Sequence, residues 1–268
     1  MRVLMCGDVM GKAGRKAIEK YVPRLRKELN LDLVIANGEN SAHGFGINEK
    51  NCQELYAAGV NVITTGNHIW DQREIVSYIR QDPCLLRPIN LGEGSPGNGF
   101  VVYPLKDGRK ALIINAQGNL FLPPSDMPFP QIEKVVKAHP LGQEVQGIFV
   151  DFHGEANSEK NALGYYLDGR VTAVVGTHCH IPTADTRILP QGTAYQTDLG
   201  LTGSYDSVIG MDSDIAIQRL LGRGPTPRLC PVEKEGTLSG LFIESSDATG
   251  LAKEVKRIII GPILQNTL

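Results

Sequence analysis

Short apolar runs alternate with longer segments in which apolar residues recur every three or four positions. The runs are rich in Val, Ile and Leu, have the length of strands, and cover residues 3–6, 31–36, 60–64, 111–115, 147–150 and 171–175. Helical spacing is found in residues 12–29, 49–58, 73–79 and 212–221. Strands that alternate with helices in this way predict an α/β fold whose strands are largely buried.

Two more apolar runs, residues 238–244 and 255–260, lie near the end of the chain. We expect them to form a second sheet, which gives a two-sheet sandwich flanked by helices. The stretches richest in Pro and Gly, residues 91–99 and 121–130, are short enough to be loops. A chain of 268 residues fits within one α/β domain, so the prediction is a single domain spanning residues 1–268.

The overall charge gives no sign of a nucleic-acid or membrane partner. The formal net charge is −2, so no basic field attracts nucleic acid or an anionic membrane surface. No run approaches the roughly 20 apolar residues of a membrane span, and the first residues lead into a strand rather than a signal-peptide core. The five cysteines are widely spaced and contain no C-x-x-C pair, which argues against a disulfide framework. We therefore expect a cytoplasmic protein.

Polar residues follow five of the six predicted strands, in the sequences G-D-V-M-G, N-G-E-N, G-N-H, D-F-H and G-T-H-C-H. Ligands of open α/β sheets bind beyond the carboxyl ends of the strands, so these residues are expected to form one site. The set supplies two carboxylates, two amides and three imidazoles, which suits a pair of divalent cations. Its members are Asp8, Glu39, Asn40, Asn67, His153, His178 and His180.

Taken singly, these residues have simpler explanations. Asp8 could cap a helix, Asn67 could serve a turn after Gly66, and Glu39 could be a solvated loop acid. His178 and His180 form the sharpest local feature, because an i, i+2 spacing in an extended or turning segment aims two imidazoles at neighbouring metals.

The order of these motifs resembles that of the calcineurin-like metallophosphoesterase superfamily, whose motifs run G-D, G-N-H and G-H-x-H. The resemblance covers roughly residues 6–180. That superfamily usually begins D-x-H and uses an Asp as the bridging ligand, whereas Met10 and Glu39 stand at those positions here. The combination G-D-V-M-G, N-G-E-N and G-N-H-I-W-D is similar to the YmdB-like branch.

This resemblance implies a metallophosphoesterase-type sandwich with a dinuclear centre at the carboxyl ends of its strands. Glu39 would bridge the two metals, and Asn40 would replace the missing imidazole. One metal would be bound by Asp8, Glu39, Asn40 and His180, and the other by Glu39, Asn67, His153 and His178. Iron or manganese is implied, with zinc and magnesium as alternatives. The implied substrate is a small phosphodiester such as a cyclic nucleotide.

His68 directly follows a proposed ligand and is predicted to face the substrate as the general acid that protonates the leaving oxygen. The alternative is a histidine of the core. The superfamily usually has an acid directly after this His, but Ile69 stands here, so Asp71 is the candidate for orienting His68. The leading hypothesis is a metal-dependent phosphodiesterase.

Other functions fit the sequence less well or stay open beside this one. A P-loop fails because the glycines of G-D-V-M-G-K-A are too close and Ala13 stands where Ser or Thr would hold magnesium. A Rossmann dinucleotide site is likewise not favoured, because Gly7, Gly11 and Gly14 do not have the G-x-G-x-x-G spacing, and neither is a catalytic cysteine. Asp198 and the loop of residues 202–206 either contact substrate or form an ordinary surface.

A second hypothesis stays open, namely a regulatory or scaffold protein that binds metal with little turnover and acts through a protein partner. A homo-oligomer is the default expectation.

Overall fold

Two mixed sheets lie face to face between helices in the computed structural model, which describes residues 1–222 and 224–267. The first sheet contains β1 (Arg2–Cys6), β3 (Leu33–Asn37), β4 (Val62–Thr64), β12 (Leu238–Ser245) and β13 (Ala252–Ile260). Its strand order is β13-β12-β1-β3-β4. The strands β1, β3 and β4 are parallel, while β12 and β13 are antiparallel to their neighbours.

The second sheet is built from the middle of the chain. Its strands are β5 (Phe100–Pro104), β6 (Lys110–Gln117), β7 (Gly147–His153), β8 (Ala173–Thr177), β9 (Arg187–Ile188) and β10 (Ala194–Gln196), in the order β5-β6-β7-β8-β10-β9. The strands β6, β7, β8 and β10 are parallel. A separate short ladder pairs β2 (Asp8–Val9) with β11 (Leu201–Thr202).

Helices cover the outer faces of both sheets. They are α1 (Gly11–Glu28), α2 (Glu49–Ala57), α3 (Ile75–Tyr78), α4 (Pro128–Ala138), α5 (Asn157–Leu167) and α6 (Ser213–Leu220). Apolar residues of α1, α2 and α3 pack on the first sheet, and those of α4 and α5 pack on the second. A third apolar cluster, with Met5, Ile35, Ile113 and Phe149, fills the space between the sheets.

This architecture confirms the predicted α/β fold with sheets flanked by helices, but the expected origin of the second sheet was wrong. The runs at 238–244 and 255–260 do not start a new sheet, because β12 fills the free edge of β1, where Met5 pairs with Leu241. The strands that follow β4 form the second sheet instead. Buried strands of either sheet carry the same kind of apolar run, as in β3 and β8, so periodicity does not assign them to a sheet.

Two details of the helices also differ from the prediction. The Pro-rich stretch at residues 121–130 is not wholly a loop, since α4 begins at Pro128, and a proline at the first helical position loses no hydrogen bond. Met10, not Asp8, precedes α1. Asn48 does cap α2, since its side chain accepts a hydrogen bond from Asn51 N at 2.9 Å.

All five cysteines are free, as the absence of C-x-x-C pairs indicated. Among the described residues, no helix combines the length and the apolar character that a membrane span requires. The single-domain organisation of residues 1–268 stays a prediction.

Candidate metal centre and active site

The carboxyl ends of parallel strands from both sheets meet at one end of the sandwich, and the predicted residues lie there. Asp8 is in β2, directly after β1, and His153 is the last residue of β7. The remaining members are in the segments that follow β3, β4 and β8, namely Glu39, Asn40, Asn67, His178 and His180. All are buried except Asn67 and His178, which are partly exposed. The structure therefore brings all seven together.

His153 is the centre of the first group of contacts. Its Nε2 lies 2.9 Å from Glu39 Oε1, 3.0 Å from Asn67 Oδ1 and 3.0 Å from His178 Nδ1. Glu39, His153 and His178 each offer a ligand atom, and these three atoms lie within 4.8 Å of one another. This cluster has the composition and spacing of a metal site.

Neighbouring hydrogen bonds fix which ring nitrogens face this cluster as acceptors. Thr177 Oγ1 donates to Asp151 Oδ1 at 2.7 Å, so it accepts from His153 Nδ1 at 3.0 Å, and in the neutral ring His153 Nε2 carries no proton. Glu155 Oε2, 3.2 Å from His178 Nε2, likewise accepts from that nitrogen. The His153 Nε2 and His178 Nδ1 atoms therefore point at each other and at two oxygen acceptors, an arrangement that either a proton on His153 Nε2 or a bound cation satisfies.

Asn40 and His180 form a second group of the same kind. His180 Nδ1 donates to Ile209 O at 2.8 Å, and Asn40 Nδ2 donates to Gly44 O at 3.1 Å. The remaining acceptors, His180 Nε2 and Asn40 Oδ1, face each other at 3.2 Å. A proton between them would require the other His180 tautomer or a flipped Asn40 amide, and either would lose the bond to Ile209 O or Gly44 O, so this pair also fits a metal ion.

Asp8 contacts two members of the first group. Its Oδ2 accepts from His178 N at 3.1 Å, and its Oδ1 lies 3.7 Å from His153 Nδ1. Within the described part of the chain, Oδ1 is buried without a hydrogen-bond partner. Burial raises the pKa of Asp8 to about 6. A buried carboxylate oxygen without a donor is costly unless a cation binds it, which adds to the fit of this site to metal.

Attraction between Glu39 and His153 outweighs the cost of burying them. Burial opposes charge on both groups, but His153 brings the pKa of Glu39 down to about 2, and Glu39 brings that of His153 up to about 9. Burial and the nearby His153 lower the pKa of His178 to about 3. The cluster thus holds a single positive charge at His153, and a bound divalent cation would take the place of that proton.

The backbone at His178 and His180 is not extended and adopts a conformation that is rare for residues other than glycine. Their φ angles are +99° and +64°, in the region that favours glycine. Cys179 N, between them, donates to Asp198 Oδ2 at 3.0 Å. Asp198 is buried and therefore holds this turn instead of contacting substrate. The Cys179 thiol lies 3.3 Å from Lys160 Nζ, and burial raises its pKa to about 11.

His68 borders the cluster without joining it. Its N donates to Glu39 Oε2 at 3.1 Å, while its Nδ1 lies 2.8 Å from Asp71 Oδ2. The ring of Phe45 packs edge-on against it, with the centroids 5.2 Å apart. His68, Glu39, Asn40, His178 and His180 all line a cavity of about 360 Å³ that opens onto the cluster.

Several residues of this region were missed by sequence reasoning. Thr177 and Glu155 lie beside predicted ligands, in G-T-H-C-H and just after D-F-H, so their proximity in sequence was a usable signal. Lys160 lies inside α5, where only the tertiary structure places it against Asp198. Phe45 offered no signal beyond its position in a glycine-rich loop.

A cavity at the carboxyl ends of the strands, above a buried cluster of carboxylate, amide and imidazole atoms, is the architecture of a metal-binding hydrolase. The chain matches the family described as YmdB-like protein over residues 4–258. It belongs to that family, as the motifs G-D-V-M-G, N-G-E-N and G-N-H-I-W-D indicated.

Similar proteins agree on the class of reaction. The chain is 46% identical to the 2′,3′-cyclic-nucleotide 2′-phosphodiesterase of Bacillus subtilis (strain 168), over 97% of each chain. A crystal structure of a novel phosphatase from Mycoplasma pneumoniae is 35% identical with a TM-score of 0.89, over 97% of this chain and 93% of that one. A hypothetical protein from Thermus thermophilus is 36% identical with a TM-score of 0.90, over 97% and 99%. The protein is thus a hydrolase of the phosphodiesterase and phosphatase class.

Proposed function

We propose that this protein hydrolyses 2′,3′-cyclic nucleotides at a dinuclear metal centre, with His68 as the general acid. The observation that carries the proposal is the set of buried nitrogen and oxygen ligand atoms that converge on one another. His180 Nε2 faces Asn40 Oδ1, and His153 Nε2 faces Glu39 Oε1. Cations bound there would take the place of the proton on His153 and would satisfy the buried acceptors.

The contacts support two neighbouring metal positions. Asp8, Asn40 and His180 would hold one cation, and Asn67, His153 and His178 would hold the other. Glu39 would serve both, because it is the carboxylate nearest to His153 and it lies directly before Asn40. When bound, the two metals acidify a water molecule and neutralise phosphoryl charge.

His68 is placed to protonate the departing oxygen. An alkoxide is a poor leaving group, so a proton donor is needed at that side of the phosphorus. Asp71 Oδ2 accepts from Nδ1 and fixes the ring, which leaves Nε2 for proton transfer to the substrate. Glu39 Oε2 accepts from His68 N and ties the acid to the metal cluster.

Two observations support a cyclic nucleotide as the substrate. The Bacillus subtilis relative carries that activity in its name and aligns over 97% of this chain. The cavity of about 360 Å³ lies within the roughly 300–1,000 Å³ of small-molecule sites.

The ligand atoms favour iron or manganese over a thiolate-preferring metal. They are nitrogen and oxygen atoms, and Cys179 Sγ is turned toward Lys160 instead of the cluster.

The test is metal analysis of the purified protein beside hydrolysis of 2′,3′-cyclic AMP, for wild type and Glu39→Gln. We expect about two metals per chain in the wild type. We expect loss of both metal and hydrolysis in the variant, because an amide does not bridge two cations.

The matched control is Glu49→Gln, since Glu49 is exposed on α2 and contacts only the Gln53 amide at 3.0 Å. It should keep both metal and activity. A wild-type protein that stays metal-free and inactive with added iron, manganese and zinc would refute the proposal.

A further inference from the structure

One side of the cavity is apolar. The side chains there come from four separate segments of the chain and are Met10, Phe45, Ile209, Met211 and Leu229, which we call the apolar wall. Met10 and Met211 belong to a small cluster against which Phe45 and Leu229 pack. The metal-cluster residues Asn40 and His180 border the wall, since Asn40 bonds Gly44 and His180 bonds Ile209.

The general acid lies at one edge of this wall. Phe45 packs edge-on against His68, with ring centroids 5.2 Å apart. The oxygen that His68 would protonate belongs to the ribose of a 2′,3′-cyclic nucleotide. The ribose therefore has to lie next to His68, and the base attached to it comes within reach of Phe45 and its apolar neighbours.

The wall offers a base few hydrogen bonds. None of its five side chains carries a nitrogen or oxygen atom. Several of its backbone groups are already paired, because Phe45 N donates to Ala42 O, Phe45 O accepts from Gln72 Nε2, and Met211 exchanges both bonds with Val208. A base bound here keeps the hydrogen-bonding groups of its edge in water. Its binding free energy comes from burial of its faces.

We propose that the apolar wall is a nucleobase subsite that binds all four bases by packing and does not distinguish their edges. This inference rests on the proposed function and specifies its substrate as any ribonucleoside 2′,3′-cyclic phosphate. Every base has an apolar face, so packing tolerates a change of sequence. Phe45, Ile209 and Leu229 are the exposed or partly exposed members of the wall and would contact the base, while Met10 and Met211 are buried.

The Glu155 carboxylate also lines the cavity, but it is paired with a histidine of the cluster. This exposed carboxylate is 3.2 Å from His178 Nε2 and serves the imidazole. Specificity then comes from the ribose and phosphate at the metal cluster, and affinity comes in addition from the wall.

The experiment compares kcat/KM for the 2′,3′-cyclic phosphates of adenosine, guanosine, cytidine and uridine with that of methyl ribofuranoside 2,3-cyclic phosphate, which has no base. We expect the four nucleotides to agree within about fivefold and the base-free compound to be at least about tenfold poorer, mainly through KM. In Phe45→Ala and Leu229→Ala, the ratio between nucleotide and base-free substrate should shrink toward one. Leu220→Ala, at an exposed position of α6, should keep the wild-type ratio.

Binding of the reaction products tests the nucleobase subsite independently of turnover. Titration calorimetry of 3′-AMP, 3′-CMP and ribose 3-phosphate should show the two nucleotides binding at least about fivefold more tightly, and Leu229→Ala should remove that advantage. A preference of more than about thirtyfold for one base, or ratios unchanged in both wall variants, would overturn the subsite. Absence of hydrolysis for every substrate would refute the proposed function alone, because calorimetry would still report on the wall.

Discussion

Lys160 Nζ lies 2.7 Å from Asp198 Oδ2, and each side chain is only 1% exposed. The same carboxylate accepts from Cys179 N at 3.0 Å and from Gly200 N at 2.8 Å. Asp198 thus anchors the turn whose two ends are His178 and His180, and Lys160 balances the charge that this anchoring buries. The pair does not belong to the candidate metal centre, but it supports the backbone that presents His178 and His180.

Replacement of Lys160 by Met is expected to lower the free energy of unfolding by about 3–5 kcal/mol, because it leaves the buried Asp198 carboxylate without its positively charged partner. Urea denaturation measures this loss. Lys160→Met/Asp198→Asn should lose less than Lys160→Met, since it removes the unpaired charge.

Lys20→Met is the control for that experiment. Lys20 pairs with Glu235 on the surface, where solvent screening leaves an ion pair with little effect on stability. Equal effects of the Lys20 and Lys160 variants would contradict the proposed role of the buried pair.

His68→Ala should reduce kcat for a 2′,3′-cyclic nucleotide by about 10²–10⁴-fold, because the ribose oxygen leaves poorly without a proton. The loss should be much smaller for bis(p-nitrophenyl) phosphate, whose leaving group needs no general acid. Steady-state kinetics on both substrates gives the comparison.

His139→Ala is the matched control, because His139 also pairs with a carboxylate, Glu144 at 2.9 Å, but does not line the cavity. It should leave both rates unchanged. Equal losses on both substrates in His68→Ala would argue against proton transfer by His68.

Gly66→Ala should abolish metal binding, because a Cβ at this position would overlap the His153 ring and the Glu39 carboxylate. Elemental analysis of the purified variant tests this. Gly92→Ala is the control, since a Cβ at Gly92 meets nothing within 4 Å. Retention of metal in Gly66→Ala would mean that the ligands lie elsewhere.

A surface network outside the site gives a pH-dependent contribution to stability. Lys137 and Arg170 contact the Glu133 carboxylate and lower its pKa from 4.5 to about 2. Because the folded pKa is the lower one, the stabilisation is complete above pH 4.5 and is lost as the pH falls toward 2. Glu133→Gln should therefore cost about 1 kcal/mol at pH 7 and less at pH 3.

Urea denaturation at both pH values measures that difference. The control is Glu49→Gln, whose carboxylate accepts a hydrogen bond from the Gln53 amide instead of pairing with Lys or Arg among the described residues, so the difference between the two pH values should be smaller. A Glu133→Gln effect that grows on acidification would contradict the assigned pKa shift.

We expect residues 1–268 to unfold as one domain, because the cluster between the sheets joins Met5 and Ile35 to Ile113 and Phe149. Fluorescence of Trp70, which packs on the first sheet, and far-ultraviolet circular dichroism of the whole chain should give the same urea midpoint. Two separate transitions would show that the sheets are independent.

The local sequence predicted much of the fold and most of the residues that lie in the candidate site. Buried parallel strands are recognisable as short apolar runs, and polar residues at their ends are brought together by parallel topology alone, as Asp8 and His153 show. The assignment of strands to sheets was not predictable, because it depends on tertiary pairing, such as that of β12 with the edge of β1. Lys160 was equally hidden, since its role depends on Asp198, 38 residues away in sequence.

Asp8 and the His178 backbone that it contacts are separated by 170 residues of chain. During synthesis, the segments with Asp8, Glu39 and Asn67 leave the ribosome before any of the three histidines of the cluster exists. β1 also gains its antiparallel neighbour only when β12, near the end of the chain, has been made. A metal ion held by these residues would therefore bind only after most of the chain has been made.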